Sequence, residues 1–325
     1  MRIAIVGASG ALGGEVLAAL DETRLPIETL VPIATERSVG IDVEFRGESI
    51  PIETELAKLR GADLAFLCAP PAATLEAVRA ALRASVPAID CSGTLAANPD
   101  VPLVSELGTA TSPPLDVPLV ALPTGAALAC ARVLAPLGRA LELRRVIATL
   151  LESASGAGRA GVQALSEETI ALLSQQESPE PAALGHPVAF DVLPWIGEID
   201  DSGVTTSEHG LRAVLARALG PEVGLAVTIL RIPVFCGEGI TVAAEFAEPV
   251  SLARIIELLA KIEGLDLGLP APTTRAAAGS DEVFVGRVRR DPSCERGALL
   301  WLATDGLALT ATHAVRVAEA RFRRV

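Results

Sequence analysis

The β-branched run Ile3-Ala4-Ile5-Val6 passes without a break into Gly7-Ala8-Ser9-Gly10-Ala11-Leu12-Gly13, and an Ala/Leu-rich helical stretch follows. Few folds accept that order. A buried strand that ends in a glycine turn and opens a helix is the first unit of a parallel α/β sheet. In such a unit the first glycine allows a tight turn. The second lets backbone N–H groups approach a pyrophosphate, and the third lets the helix pack closely. The helix N-terminus adds partial positive charge. The spacing is GxxGxxG rather than GxGxxG. Its place between strand and helix predicts a dinucleotide site made by Gly7, Ser9, Gly10, Ala11, Leu12 and Gly13.

The alternation continues. Short apolar runs at Thr29–Ile33, Leu64–Cys68, Val86–Asp90 and Pro118–Leu122 read as strands, with helices at Leu12–Leu20 and Ala73–Arg83. Strands alternating with helices of this length predict a Rossmann-type parallel sheet. The middle of the chain differs. Val146–Leu151 and Gly224–Pro233 are long apolar strands, a helix lies near Gly161–Ser174, and Gln175–Pro187 reads as a loop. Long strands with few crossovers predict a second α+β domain with a mixed or antiparallel sheet. Ala308–Arg323 reads as one amphipathic helix.

The second strand ends in Ala34-Thr35-Glu36-Arg37-Ser38. Glu36 suits a ribose 2′-OH, as in NAD, whereas Arg37 with Ser38 suits a 2′-phosphate, as in NADP. The guanidinium–phosphate match is bidentate, so Arg37 is the better candidate.

Composition narrows the functional classes. Half of the 325 residues are hydrophobic and the net charge is −13. That is a folded chain with a sizeable core, and its bulk charge is the wrong sign for nucleic acid or anionic lipid. The basic cluster Arg316, Arg321, Arg323 and Arg324 reads as a solvated helix face. Cys68, Cys91, Cys130, Cys236 and Cys294 lie far apart and form no CxxC pair. This argues for a reducing compartment and against a disulfide framework or zinc ribbon. His186, His209 and His313 show neither triad nor metal spacing, with His209 read as exposed in a polar loop, so no metal site is expected. Met1-Arg2 leads straight into the first strand, with no n-region or h-region. The longest uncharged apolar run, Val117–Ala131, is broken by prolines and too short to span a bilayer. The expectation is a cytoplasmic protein that does not meet membranes.

The chain resembles the aspartate-semialdehyde dehydrogenase family over nearly its whole length. The resemblance rests on Gly7–Gly13, Ala34–Gly40, Ile89-Asp90-Cys91-Ser92-Gly93 and Asp100-Val101-Pro102-Leu103-Val104. It continues in Ser155-Gly156-Ala157-Gly158-Arg159-Ala160-Gly161, Leu193-Pro194-Trp195-Ile196-Gly197 and Arg231-Ile232-Pro233-Val234. It implies an NADP-binding domain over 1–125, a substrate and dimerisation domain over 126–303, and a C-terminal helix, 304–325, returning to the first domain. It implies a homodimer, and it adds Ala69, Ser155 and Gly156 to the cofactor contacts. The family reduces an acyl phosphate: a cysteine thiolate forms a thioester, NADPH delivers hydride, and a histidine serves as acid and base.

The resemblance breaks where that chemistry resides. Gly125 occupies the place of the cysteine, in Leu122-Pro123-Thr124-Gly125-Ala126-Ala127. The histidine becomes Glu238, in Gly237-Glu238-Gly239, although Arg231 is kept. The phosphate-binding arginine falls at Ala96. The Thr-x-Glu-Glu-x-x-Lys run becomes Thr205–Leu211, with Ser207 for a carboxylate and Leu211 for the lysine. The glutamine before the Ser155 loop is Glu152, and Cys68-Ala69-Pro70-Pro71 replaces the turn beside the nicotinamide. Among other nucleophiles, Cys130 sits more than one turn inside the helix that starts near Gly125 and reads as core. Cys236 lies two residues before Glu238, but Gly237 intervenes.

Three functions stay open on these residues. The first is an NADP-binding homodimer without thioester chemistry, its degenerate site being Gly125, Glu238, Glu152, Arg231 and Cys236. The second is an NADPH-dependent oxidoreductase acting directly on a small carbonyl or semialdehyde, with Arg231 holding a carboxylate and Glu238 or Glu152 as acid. The discriminating feature is a glutamate whose pKa lies well above its ordinary value. The third is a dimeric scaffold that binds no cofactor.

Overall fold

A computed structural model describes residues 1–108, 112–177, 180 and 183–323. The chain forms two compact units, one of Met1–Thr124 with Thr310–Val325 and one of Gly125–Leu309.

The first unit is built on five parallel strands in the order β2-β1-β5-β6-β7. They are β1 (Arg2–Val6), β2 (Thr29–Ile33), β5 (Leu64–Leu67), β6 (Ala88–Asp90) and β7 (Leu119–Ala121). Their residues are almost all buried, as expected of a parallel sheet covered on both faces. On one face Ile3, Ile5 and Phe66 pack with Val16 and Leu20 of helix α1 (Ala11–Glu22). The same cluster takes in Ala311, Ala314 and Val315 of α8 (Gly306–Arg323). On the other face Ala4, Val31 and Leu67 pack with Ala77, Val78 and Ala81 of α2 (Pro71–Arg83). Helix α2 starts two residues earlier than its periodicity predicts, because Pro71 takes the first helical position, where a missing N–H costs nothing. β6 is shorter than predicted and begins just after Pro87, which has no N–H for the ladder.

The hairpin β3 (Asp42–Phe45) and β4 (Glu48–Pro51) was not anticipated. Arg46 and Gly47, both at positive φ, supply the two left-handed residues of its turn. In the C-terminal basic cluster Arg323 is exposed as expected, whereas Arg321 is not on a solvated face. The Arg321 Nη1 donates to the carbonyls of Leu115 and Val117, and burial lowers its pKa. Arg324 lies outside the described residues.

The second unit holds a six-stranded mixed sheet in the order β11-β12-β13-β10-β8-β9. Its long strands are β8 (Leu143–Glu152), β9 (Gly224–Arg231), β10 (Glu238–Phe246), β12 (Val283–Arg290) and β13 (Gly297–Thr304), with β11 (Leu265–Asp266) at one edge. β8 and β9 run parallel, as do β11 and β12, and the other neighbours are antiparallel. One face carries Val146, Ala148, Leu150, Val242 and Leu300 into a core with α3 (Gly125–Leu141), α5 (Thr206–Leu219) and α6 (Leu252–Leu259). The opposite face shows Ile147 at 41% exposure and a half-buried Ala243 beside it. Helix α4 (Gly158–Leu173) packs Leu165 on Val188 and Leu193, and the short α7 (Thr274–Ala277) precedes β12.

Helix α5 was missed, although Thr205-x-x-Glu208 forms a full capping box at its start. His209 is therefore on a helix and not in a polar loop, and its Nε2 lies 2.7 Å from Asp200 Oδ2. The described residues of 175–187 form no helix or strand. Ser178, Pro179, Pro181 and Ala182 lie outside them. No helix among the described residues is long and apolar enough to cross a membrane.

Candidate functional site

In the first unit β1 delivers Gly7 to the end of the sheet. The Gly7 and Ala8 N–H groups both donate to the Ile33 carbonyl, at 2.8 and 3.2 Å. Gly7 has φ +88°, and a Cβ there would stand 2.8 Å from the carbonyl carbon and oxygen of Cys68. A Cβ on Gly13 would stand 2.2 Å from the Gly7 carbonyl oxygen. These contacts make the turn a glycine turn, bring the start of α1 onto the strand end, and fit the cradle that a pyrophosphate needs. Gly10 caps α1 with no side chain, and no acidic residue lies in the first turn. The helix thus offers Ala11, Leu12 and Gly13 with no internal anion over them.

Ser9 and Ser38 meet, their hydroxyls 2.9 Å apart, so the glycine loop and the end of the second strand are joined. Ser38 is buried, whereas Glu36 and Arg37 are exposed in the 3-10 turn Glu36–Ser38. Ala69 follows Cys68 and accepts the Thr74 hydroxyl at 2.7 Å.

In the second unit Gly125, Glu238, Glu152 and Arg231 come together. Glu238 opens β10 and is 8% exposed. Gly125 opens α3 at φ +47°, and a Cβ there would lie 3.2 Å from Glu238 Oε2. A Cβ on Gly306, the first residue of α8, would lie 2.7 Å from Glu238 Oε1. The Ala126 N–H donates to the Glu238 carboxyl, while Oε2 has no hydrogen-bond partner. The carboxyl thus sits at the N-terminal end of α3, where the partial positive charge of the helix lies.

Arg231 ends β9 and faces Glu152, its registered partner on β8. Its Nη2 donates to Glu152 Oε1 at 2.9 Å and its Nη1 to the Ser153 carbonyl at 3.2 Å. Arg231 is 5% exposed, and it already holds a carboxylate, that of Glu152. Asp305, which sequence reasoning missed, accepts from Gly279, Leu307 and Ala308 N–H groups. The Asp-Gly pair just before a helical run was its signal.

Three carboxyls and one guanidinium share this cluster, and the balance shows in their titration. Burial raises the Glu238 pKa to about 8, with further upward push from the charges of Glu152 and Asp305. Burial also raises that of Glu152, against the pull of Arg231. The Cys130 thiol is pushed up to about 12 by burial and by Glu238, and it packs in the core of the second unit.

Cys236 is exposed and Glu238 is buried, and Gly237 between them is at φ +85°. The two therefore do not share one environment. Ser155 and Gly156 belong to the second unit, in the 3-10 turn after β8. A Cβ on Gly156 would stand 2.1 Å from Glu152 Oε1, so that turn leans directly on the Arg231–Glu152 pair. No group of three metal-ligating side chains occurs among the described residues.

Comparison with known proteins adds four findings. The aspartate-semialdehyde dehydrogenase of Mycolicibacterium smegmatis is 34% identical over 98% of both chains. The crystal structure of aspartate semialdehyde dehydrogenase II from Vibrio cholerae, complexed with ASA, superposes with a TM-score of 0.89 at 28% identity, covering 99% of this chain and 98% of that one. A Candida albicans aspartate semialdehyde dehydrogenase solved with NADP shares the fold, at a TM-score of 0.72 and 14% identity over 98% of this chain and 97% of that one. Residues 2–111 match the semialdehyde dehydrogenase NAD binding domain and residues 134–309 the semialdehyde dehydrogenase dimerisation domain, so the chain belongs to the semialdehyde dehydrogenase family.

Proposed function

We propose that this chain is an NADP-binding, homodimeric member of the family that does not carry out phosphorylating oxidoreduction of a semialdehyde. One observation carries the reading. The residue that opens α3 is Gly125, and the Glu238 carboxyl fills the space beside it where a nucleophile's side chain would begin. Glycine has nothing with which to form a thioester. The surroundings point the same way, since an incoming acyl phosphate would meet the Glu152 and Asp305 carboxyls with Arg231 already paired.

NADP is favoured over NAD by the exposed Arg37 beside Ser38, whose hydroxyl is held by Ser9. The dimer is favoured by the dimerisation-domain match and by the uncovered sheet face around Ile147. The cysteine pattern favours a reducing, cytoplasmic setting. Calorimetric titration with NADPH, with NADH as control, tests the cofactor. Turnover of aspartate semialdehyde with phosphate and NADP by the purified protein would overturn the reading. Absence of binding by either nucleotide would favour a dimeric scaffold.

A second reading has an observation of its own. The Glu238 carboxyl, with its pKa raised to about 8 and Oε2 unpartnered, is protonated at neutral pH. A protonated acid is what direct hydride transfer to a small carbonyl needs as proton donor. A screen of NADPH consumption against small aldehydes and keto acids separates the two readings. Consumption that Glu238→Gln abolishes supports the second, and a blank screen supports the first.

A further inference from the structure

β5 and β6 are neighbouring parallel strands, and their register pairs Leu67 with Asp90. The next residues on each are Cys68 and Cys91, both in the same buried cluster. The ladder still holds there, because the Cys91 N–H donates to the Leu67 carbonyl at 3.0 Å and the Cys68 N–H to the Val6 carbonyl at 2.8 Å. The Cys91 thiol donates to the Ile89 carbonyl at 3.5 Å, and burial together with the neighbouring Cys68 thiol holds its pKa well above the ordinary value. Registered residues on adjacent strands lie about 4.8 Å apart, inside the window of about 4.4–6.8 Å that a disulfide spans between Cα atoms. Cys68 is 9% exposed and Cys91 is wholly buried, so a small oxidant reaches Cys68 first. The Cys68 carbonyl is also the surface against which Gly7 of the glycine loop is packed.

We propose that Cys68 and Cys91 form a redox-active dithiol which a small hydroperoxide converts to an intramolecular disulfide, and that this oxidation weakens nucleotide binding at the adjoining glycine loop. The Cys68 sulfur attacks one peroxide oxygen, the O–O bond breaks, and water leaves, giving a sulfenic acid at Cys68. The Cys91 sulfur then attacks the Cys68 sulfur, an S–S bond forms, the S–O bond breaks and a second water leaves. The thiols give up two electrons and two hydrogens, and the peroxide is reduced to water. A disulfide favours a Cα separation of about 5.5–6 Å, wider than the strand spacing of about 4.8 Å, so closing the bond pushes the end of β5 away from β6. Because Gly7 touches the Cys68 carbonyl with no room for a methyl group, that movement is passed to the glycine loop.

The test is hydrogen peroxide treatment of full-length protein carrying Cys236→Ser and Cys294→Ser, which removes the two more accessible thiols. Intact mass is expected to fall by two hydrogens, and tandem mass spectrometry of the digest to show Cys68 linked to Cys91. Cys91→Ser is expected to abolish the mass loss and to gain oxygen instead. Addition of oxygen without a link in the parent protein, or a link to Cys130, overturns the dithiol. Should Cys91→Ser fail to fold, Cys68→Ser and the peptide link in otherwise wild-type protein decide the matter. The nucleotide arm rests on the proposed NADPH binding. Affinity for NADPH is expected to fall several-fold on oxidation and to return with dithiothreitol. Linkage with unchanged affinity overturns the coupling alone. Untreated protein that binds no NADPH removes the cofactor reading and the coupling with it, while the mass measurement still decides the disulfide.

Discussion

The Oε2 of Glu238 stands 3.2 Å from the point where a side chain on Gly125 would begin. The residue that opens α3 has no side chain, and a carboxyl from the start of β10 lies against it.

Putting a side chain back at position 125 has a cost that can be measured. Gly125→Ala meets the left-handed backbone, worth about 1–2 kcal/mol, and a contact tighter than ordinary packing at Glu238. Urea unfolding should show the single variant destabilised by at least that amount. In a double-mutant cycle with Glu238→Ala the contact part should vanish and the backbone part remain. Full additivity would mean that the two residues do not compete for space.

Stability should fall as pH rises from the carboxylate range toward pH 8. The folded-state pKa of Glu238 is raised to about 8 from the usual 4.5, so the folded protein keeps a proton that the unfolded chain gives up. That contribution is fully present below pH 4.5 and is lost as pH climbs through about 8, with a slope of at most about 1.4 kcal/mol per pH unit for one proton. Glu152 acts in the same direction. Denaturant unfolding across this range should show the decline in wild type. Glu238→Gln should flatten most of it, and an unchanged slope would show that Glu238 ionises normally.

The Arg231–Glu152 pair should be asymmetric to mutation. Arg231→Met leaves Glu152 buried without its cation, and breaking a buried pair in this way costs about 3–5 kcal/mol. Glu152→Gln keeps an acceptor for Nη2 and should cost less. Thermal unfolding of the two variants side by side decides this, and equal losses would mean that the pair is solvated.

Arg37→Ala should weaken NADPH binding by about tenfold to a hundredfold, the range of a charge-assisted contact, and leave NADH binding unchanged. Equal loss for both nucleotides, read by calorimetry, would put Arg37 on a group that the two share.

Short-range signals were the legible ones. The run from Ile3 to Gly13 contains its strand, its turn and its helix start within a few residues, and each element lies where the pattern predicts. β10 and β13 were not legible. Their apolar residues become a sheet only by pairing with each other and with β8, which are distant in the chain. α5 was hidden for another reason. Thr205–Leu211 was read as a damaged substrate run, but Glu208 accepts from the Thr205 and Ile229 N–H groups and so ties the helix start to β9. In the site, the absence of a side chain at Gly125 was visible by position. That Arg231 is already engaged, and that Asp305 adds to the charge around Glu238, depends on contacts between strands that no local pattern encodes.

Glu152 and Arg231 are also the last registered pair of the parallel ladder between β8 and β9. Side chains alternate faces along a strand, so a slip of one residue would turn the guanidinium away from its carboxylate and strand both charges in apolar surroundings. The ion pair therefore works as an alignment key for folding. It rejects the misaligned sheet more strongly than it favours the correct one, and this gives Arg231 a role in the fold that depends on no bound ligand.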